Sequence, residues 1–112
     1  MEATKPTAAV THEADHSTVR IGGYISTDAA DPLETAFQQT SDALKILVVF
    51  DEKCFINSTG LAILFELILP LKDEGTDVRI VHPSQHFRKV FDIVGLSKDV
   101  PVFAAEDRAL GN

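Results

Sequence analysis

Hydrophobic residues recur along this chain with two different periods, and these periods predict strands that alternate with helices. The run at residues 45–50 is apolar and mostly β-branched after Lys45, which predicts a central strand buried on both faces. Pro101 favours an edge position for the last strand, because proline cannot donate a ladder hydrogen bond. Further strands are predicted at residues 8–14, 18–21, 78–81 and 100–103, with the first two forming a hairpin.

Three segments have the 3.6-residue period of amphipathic helices. The first begins at Asp31, which can cap it, and runs to about Ala43. The second is expected to kink or end near Leu69, because Pro70 cannot continue the hydrogen-bond pattern. The third covers residues 83–95. Elements in this order predict an α/β (α+β mixed) fold in which three to four helices pack against a mixed central β-sheet.

The second helix carries apolar residues on two sides. Ile63, Leu67 and Pro70 lie about half a turn from its main stripe, where an amphipathic surface helix needs no hydrophobic residue. These residues face either a partner protein or another element of the same chain. The main stripe, which is predicted to face the core, consists of Leu61, Leu64, Phe65, Ile68 and Leu71.

Length, composition and charge limit the organisation of the chain and its partners. A chain of 112 residues with 45% hydrophobic composition suits one domain, expected over residues 8–112 after a disordered tail over residues 1–7. The formal net charge of −7 argues against nucleic acid and anionic membranes as partners, because both require a basic surface. The longest apolar run, residues 61–71, is too short for membrane insertion. A single cysteine and the lack of an apolar leader indicate a cytoplasmic protein.

The segment at residues 55–61 joins the end of an apolar strand, two hydroxyl residues and the start of an apolar helix. Ser58 or Thr59 would have its oxygen near unpaired backbone N–H groups and the positive end of the helix dipole. A hydroxyl there can cap the helix, as Asn57 also can, or it can carry a phosphate. Gly60 completes this corner. A simple cap and a regulated site are both open interpretations.

Other residue patterns give no sign of catalysis. Ser58 lacks a Gly-x-Ser-x-Gly context, and the four histidines are dispersed, so no catalytic residue is predicted. His82 and His86 have helical spacing, but Pro83 between them argues against one helix. We therefore predict no metal site and no cofactor. Cys54 is interpreted as a small, half-buried residue at a strand end.

The corner at residues 55–61, the turn and strand at 75–81, and the segment from 83 to 96 together resemble the STAS domain, the fold of bacterial anti-sigma factor antagonists. The resemblance covers most of the chain. It implies that a serine/threonine kinase, which doubles as the anti-sigma factor, phosphorylates Ser58, with Thr59 as the second choice. It also implies a phosphatase as the opposing partner, and a role in transcription regulation and stress response.

Two positions depart from the pattern of that family. Asn57 stands where an aspartate usually precedes the acceptor, and Ser26 stands where an acidic residue usually follows the first long strand. Asn57 keeps the shape and capping ability of aspartate but lacks its charge.

The resemblance implies a phosphorylation-switched interaction module that is not an enzyme. The unphosphorylated corner would bind the kinase, with Ser26, Ile63 and Leu67 among the contacts. A homodimer through the apolar second helix is a further expectation. The alternative function is a non-switching adaptor, such as the small STAS subunit of a lipid-transport ABC system, and Asn57 favours it.

Overall fold

The apolar run at residues 45–50 forms the middle of the sheet, as its composition predicted. A computed structural model describes residues 5–40, 43–52, 54–83, 85–93 and 100–110 of the chain. Its strands are β1 (Thr7–His12), β2 (Ser17–Gly22), β3 (Tyr24–Ile25), β4 (Lys45–Phe50), β5 (Phe55–Ile56), β6 (Asp77–Val81) and β7 (Val102–Phe103). Its helices are α1 (Ala30–Gln38), preceded by a 3-10 turn at Thr27–Ala29, α2 (Ser58–Asp73), α3 (Gln85–Ile93) and α4 (Glu106–Leu110).

Five strands form a mixed sheet in the order β1-β2-β4-β6-β7. Strands β1 and β2 form the predicted antiparallel hairpin, and the remaining neighbours are parallel. Strand β7, which follows Pro101, lies at the sheet edge as predicted. The two short strands β3 and β5 pair with each other in parallel and form a separate ribbon. The predicted fold class is therefore confirmed.

The sheet is covered on both faces, but unequally. Buried residues of α1, α2 and α3 pack with Val19, Ile21, Ile46, Val48 and Ile80 in the main core. Residues that alternate with these along the strands, Leu47, Val49 and Val81, point to the other face and pack with Ala109 of α4. Strand β4 is thus buried on both sides, which explains its unbroken apolar run.

The start of the first helix differs from its prediction. Helix α1 begins at Ala30, one residue before Asp31, and no side chain caps it. The 3-10 turn, in which the Ala29 N–H donates to the Ser26 carbonyl at 3.0 Å, leads the chain into the helix and removes the need for a cap at Asp31. The helix ends at Gln38, earlier than the predicted Ala43.

Of the two predicted effects of Pro70, a kink or an end near Leu69, the end is wrong. Helix α2 continues to Asp73 with Pro70 inside it. Pro70 is exposed, and it leaves the Glu66 carbonyl without its usual helical donor. The Glu74 N–H donates to the carbonyls of Pro70 (3.1 Å) and Leu71 (3.2 Å), which closes the turn after the proline.

The predicted start of the third helix at residues 83–84 is close to the observed Gln85, but Ser84 itself and the predicted stop at Gly95 lie outside the described residues. A last short helix, α4, follows β7. Of the helices that the structure describes, none combines the length and apolar character needed to cross a membrane.

Candidate functional site

The corner is built where the short ribbon of β3 and β5 ends and α2 begins. Ile25 and Ile56 are paired residues of the ribbon, so Ser26 and Asn57 follow them side by side at the same edge. The Asn57 N–H donates to the Ile25 carbonyl at 3.1 Å and extends this pairing by one residue. The ribbon therefore fixes where the first turn of α2 starts.

Asn57 is the cap of α2. Its backbone is extended, and its side-chain oxygen accepts a hydrogen bond from the Gly60 N–H at 2.9 Å. Its side-chain nitrogen donates to the Tyr24 hydroxyl at 3.3 Å, which links the cap to strand β3. Both the oxygen and the nitrogen of the Asn57 side-chain amide are therefore hydrogen-bonded. Asn57 is thus the residue that caps the helix at this corner.

Because Asn57 caps the helix, the two neighbouring hydroxyl residues are not needed as caps. Ser58 and Thr59 form the first positions of α2, and both are exposed. Within the part of the chain that the structure describes, neither hydroxyl has a hydrogen-bond partner. The Ser58 hydroxyl can therefore be reached by another protein, and it lies beside the positive end of a 16-residue helix.

Gly60 lets the helix touch the ribbon. A Cβ atom at this position would lie 2.1 Å from the carbonyl oxygen of Ile25, a distance that no side chain tolerates. Ile25 is fully buried, and its carbonyl is held by the Asn57 N–H. The predicted corner role of Gly60 therefore has a steric basis, since only glycine allows this approach.

Ser26 lies next to Asn57, and its hydroxyl donates to the Asp28 carboxylate at 3.3 Å. The structure thus brings a carboxylate, Asp28, close to the corner by way of the 3-10 turn. Sequence reasoning missed Asp28, because its approach depends on the turn that precedes α1 and not on its distance along the chain.

Ile63 and Leu67 are not on the outer face of α2, contrary to the predicted geometry. Both are half-buried and pack against the main core, so the alternative in which the same chain covers them is correct in part. The buried centre of the helix is Gly60, Leu64 and Ile68, and Ile63 and Leu67 border it on one side. The exposed face carries Ala62, Glu66, Leu69, Pro70 and Asp73.

An apolar groove lies beside Ser58. Its volume is about 350 Å³, and Asn57 and Ser58 form its polar end. Phe65 of α2 packs against Phe91 of α3 with ring centroids 5.6 Å apart, so the two helices hold the groove walls in place. The apolar lining consists of Ile56, Leu61, Ala62, Phe65, Phe87 and Val90.

The histidines make local contacts. His12 Nδ1 lies 2.9 Å from the Ser17 hydroxyl, and His16 Nδ1 lies 2.7 Å from the Asp15 carboxylate. The interaction with His16 lowers the pKa of Asp15, mainly through the side-chain hydrogen bond. Among the described residues, no three His, Cys, Asp or Glu side chains converge as metal ligands would.

Cys54 is 8% exposed at the start of the corner. Desolvation raises the pKa of its thiol from 9.0 to about 11, and the neighbouring Asp51 carboxylate adds to this shift. A protonated thiol is a poor nucleophile, so we expect low reactivity of Cys54 near neutral pH.

We expect alkylation of Cys54 by iodoacetamide to be slow at pH 8 and to accelerate as the pH approaches 11. Since the folded-state pKa exceeds the ordinary value of 9.0, the neutral thiol favours the fold below pH 9, and this contribution is lost as the pH rises from 9 to 11. Mass-spectrometric alkylation rates across this range check the expectation, with urea-unfolded protein as the control. Equal rates for folded and unfolded protein at pH 8 would contradict it.

Replacing Asn57 with alanine is expected to lower the free energy of unfolding by ~1 kcal/mol, because the Gly60 N–H loses its acceptor. Asn57→Asp is the matched control, since aspartate caps equally well. Urea denaturation of the three proteins measures the effect. An Asn57→Ala protein as stable as the control would show that the cap contributes nothing.

Comparison with known proteins places this geometry in a family. The family model described as the STAS domain matches residues 7–109. No curated protein matches the sequence significantly.

Several solved structures have the same fold. An anti-sigma factor antagonist from Mycobacterium paratuberculosis aligns with a TM-score of 0.78 at 23% identity, covering 96% of this chain and 92% of that one. The Bacillus cell fate determinant SpoIIAA in its phosphorylated form aligns with a TM-score of 0.70 at 20% identity, covering 94% and 97%. Unphosphorylated SpoIIAA gives a TM-score of 0.67 at 19% identity, covering 94% and 96%. At these identities the likeness concerns the fold alone.

Proposed function

Because the chain belongs to the STAS domain family, we propose that it is an anti-sigma factor antagonist whose binding to its partner is switched by phosphorylation of Ser58. The partner is an anti-sigma factor that is also a serine kinase, and a phosphatase reverses the modification. The solved structures of SpoIIAA in phosphorylated and unphosphorylated forms support a switch of this kind in the fold.

The observation that carries the proposal is the position of the Ser58 hydroxyl. It is exposed, it has no hydrogen-bond partner within the described residues, and it lies at the polar end of the apolar groove. Asn57 already caps α2, so phosphorylation of Ser58 would cost the helix no cap. Thr59 is equally exposed but does not line the groove, and it remains the second choice.

A phosphate on Ser58 would act on binding and leave the fold intact. It adds about −1.5 to −2 charges at the groove, where a docked apolar side chain would have to displace the water around it. A partner carboxylate near Ser58 would also be repelled. Within the domain, the helix N-terminus favours the added charge.

Ser26, Ile63 and Leu67 belong to the proposed partner surface in different ways. Ser26 lies beside Asn57 and can contact the partner directly. Ile63 and Leu67 are half-buried, so their exposed portions would extend the contact along one side of α2. A second copy of this chain could occupy the same apolar helix, which makes a homodimer an alternative occupant.

Incubating the protein with candidate anti-sigma kinases and ATP, followed by mass-spectrometric mapping, tests the proposal. We expect one phosphate on Ser58 and none on the Ser58→Ala protein. Modification confined to other residues, or none with any candidate kinase, would contradict the switch.

One observation favours the alternative function, that of a non-switching adaptor. The residue before Ser58 is Asn57, so the corner lacks the carboxylate that usually stands there in the family. An adaptor needs no phosphate acceptor and would bind its partner constitutively. Copurification with an ABC ATPase, combined with an unmodified Ser58, would favour it over the antagonist.

A further inference from the structure

Two aromatic rings lie exposed next to the corner on the short ribbon. Phe55 is 67% exposed and Tyr24 is 41% exposed. The two residues are direct partners in the parallel pairing of β3 and β5, so their side chains project from the same face of the ribbon. An exposed aromatic pair lowers the solubility of the free protein, so its presence favours a role in binding.

Carboxylates flank this pair at both ends of the ribbon. Asp51 lies against Gly22, because its Oδ2 would be 2.7 Å from a Cβ at that position. Asp28 is held next to Ser26 at the other end. Within the described part of the chain, neither carboxylate belongs to an ion pair.

Basic residues lie near one end of the ribbon: Arg20 and Arg88 line a pocket with Asp51, and the Lys5 backbone lies against Gly23. The sequence contains no lysine or arginine between residues 21 and 44, or between 54 and 71. Lys53 adjoins the second stretch and lies outside the described residues. At the opposite end, near Asp28, the surface combines aromatic faces with negative charge, which is the combination that attracts a cation.

We infer that Tyr24 and Phe55 form an aromatic docking surface for an arginine side chain of the protein partner. The inference rests on the proposed function only for the identity of that partner. An arginine guanidinium stacks flat on an aromatic face and can reach a flanking carboxylate at the same time, which a lysine ammonium does less well. The position is separate from the groove, whose lining includes neither ring.

A hydrogen bond between Tyr24 and Asn57 connects this surface with the proposed switch at Ser58. The Tyr24 hydroxyl accepts the Asn57 side-chain N–H, and Asn57 adjoins Ser58. A partner that seats an arginine on Tyr24 therefore places its neighbouring residues over Ser58. The aromatic surface would position the kinase, and the Ser58 hydroxyl would accept the phosphate.

The chemistry is tested without the partner by an NMR titration of the full chain with N-acetyl-arginine amide. We expect saturable shifts of the Tyr24 and Phe55 ring protons. N-acetyl-citrulline amide, which has nearly the same shape but no charge, should cause none. Equal shifts with both amides, or shifts located elsewhere, would overturn the inference.

The surface is tested in the complex with the kinase that modifies Ser58. Phe55→Leu keeps an apolar side chain but removes the ring, and it should weaken binding about tenfold. The matched control is Leu44→Ala, since Leu44 is 84% exposed and precedes β4 at the opposite end of the sheet. It should bind as the unmodified protein does.

The two hypotheses can fail separately. If Ser58 is phosphorylated but Phe55→Leu binds the kinase normally, the docking surface is wrong and the switch stands. If the arginine probe binds the rings but no kinase modifies Ser58, the switch is wrong and the surface remains.

Discussion

Replacing Gly60 with alanine is expected to destabilise the protein by ~2–3 kcal/mol, although alanine is the better helix former. The added Cβ would meet the Ile25 carbonyl oxygen at 2.1 Å and its carbon at 2.6 Å. Relief requires either moving buried Ile25, which breaks its bond to the Asn57 N–H, or lifting the first turn of α2. Overpacking of this kind costs a few kcal/mol.

The sign of the effect decides between two physical accounts. Helix propensity alone would make Gly60→Ala stabilising by ~1 kcal/mol, whereas crowding makes it destabilising. Thr59→Ala is the neighbouring control, because Thr59 is exposed, and it should change stability by only a few tenths of a kcal/mol. A Gly60→Ala protein that gains stability in urea denaturation would refute the close contact between α2 and β3.

Ser58→Glu is expected to weaken binding to the anti-sigma kinase on the order of 100-fold, with little change in stability. The carboxylate places a charge at the polar end of the groove lined by Ile56, Leu61 and Phe65, where the partner would have to desolvate it. The helix N-terminus tolerates the charge, so thermal unfolding should shift by no more than a few degrees. Isothermal titration calorimetry with the purified kinase measures the affinity.

Thr59→Glu is the matched control for this variant. It adds the same charge one residue further along the same exposed turn, but Thr59 does not line the groove. We expect it to weaken binding by only a few fold. Equal losses for the two variants would show that net charge, and not the position of Ser58, governs the interaction.

The sheet could be predicted from sequence because its strands differ in how far they are exposed to solvent. The unbroken run of β4 reflects burial on both faces, and Pro101 correctly placed β7 at the edge. The pairing of β3 with β5 could not be predicted, since two-residue strands carry no periodicity. The Tyr24–Phe55 surface was missed for this reason.

The corner was located correctly, but its geometry depends on tertiary contacts. Asn57, Ser58 and Thr59 were all candidate caps, and only the link from Asn57 to both Gly60 and Tyr24 distinguishes them. The orientation of α2 was misjudged because an apolar helix has no clear polar side. Gly60, which has no hydrophobic side chain, lies on the buried face of α2. Ile63 and Leu67 border that face and are half-buried against the core.

The alternative in which the second helix ends near Leu69 failed for a reason that the sequence does not show. Pro70 removes one backbone hydrogen bond from α2, but it lies on the exposed side of the helix, and the helix continues to Asp73. The cap at Asp31 failed similarly, because the 3-10 turn after Ser26 starts the helix from the preceding residues.

The most direct test of the account compares the kinase affinity of one protein with and without phosphate on Ser58. Calorimetric titration of the kinase should show tight binding of the unmodified chain and a loss on the order of 100-fold on phosphorylation. Two-dimensional NMR spectra should show shifts confined to the corner. Equal affinities for the two forms, with the phosphate confirmed on Ser58, would contradict the proposed switch.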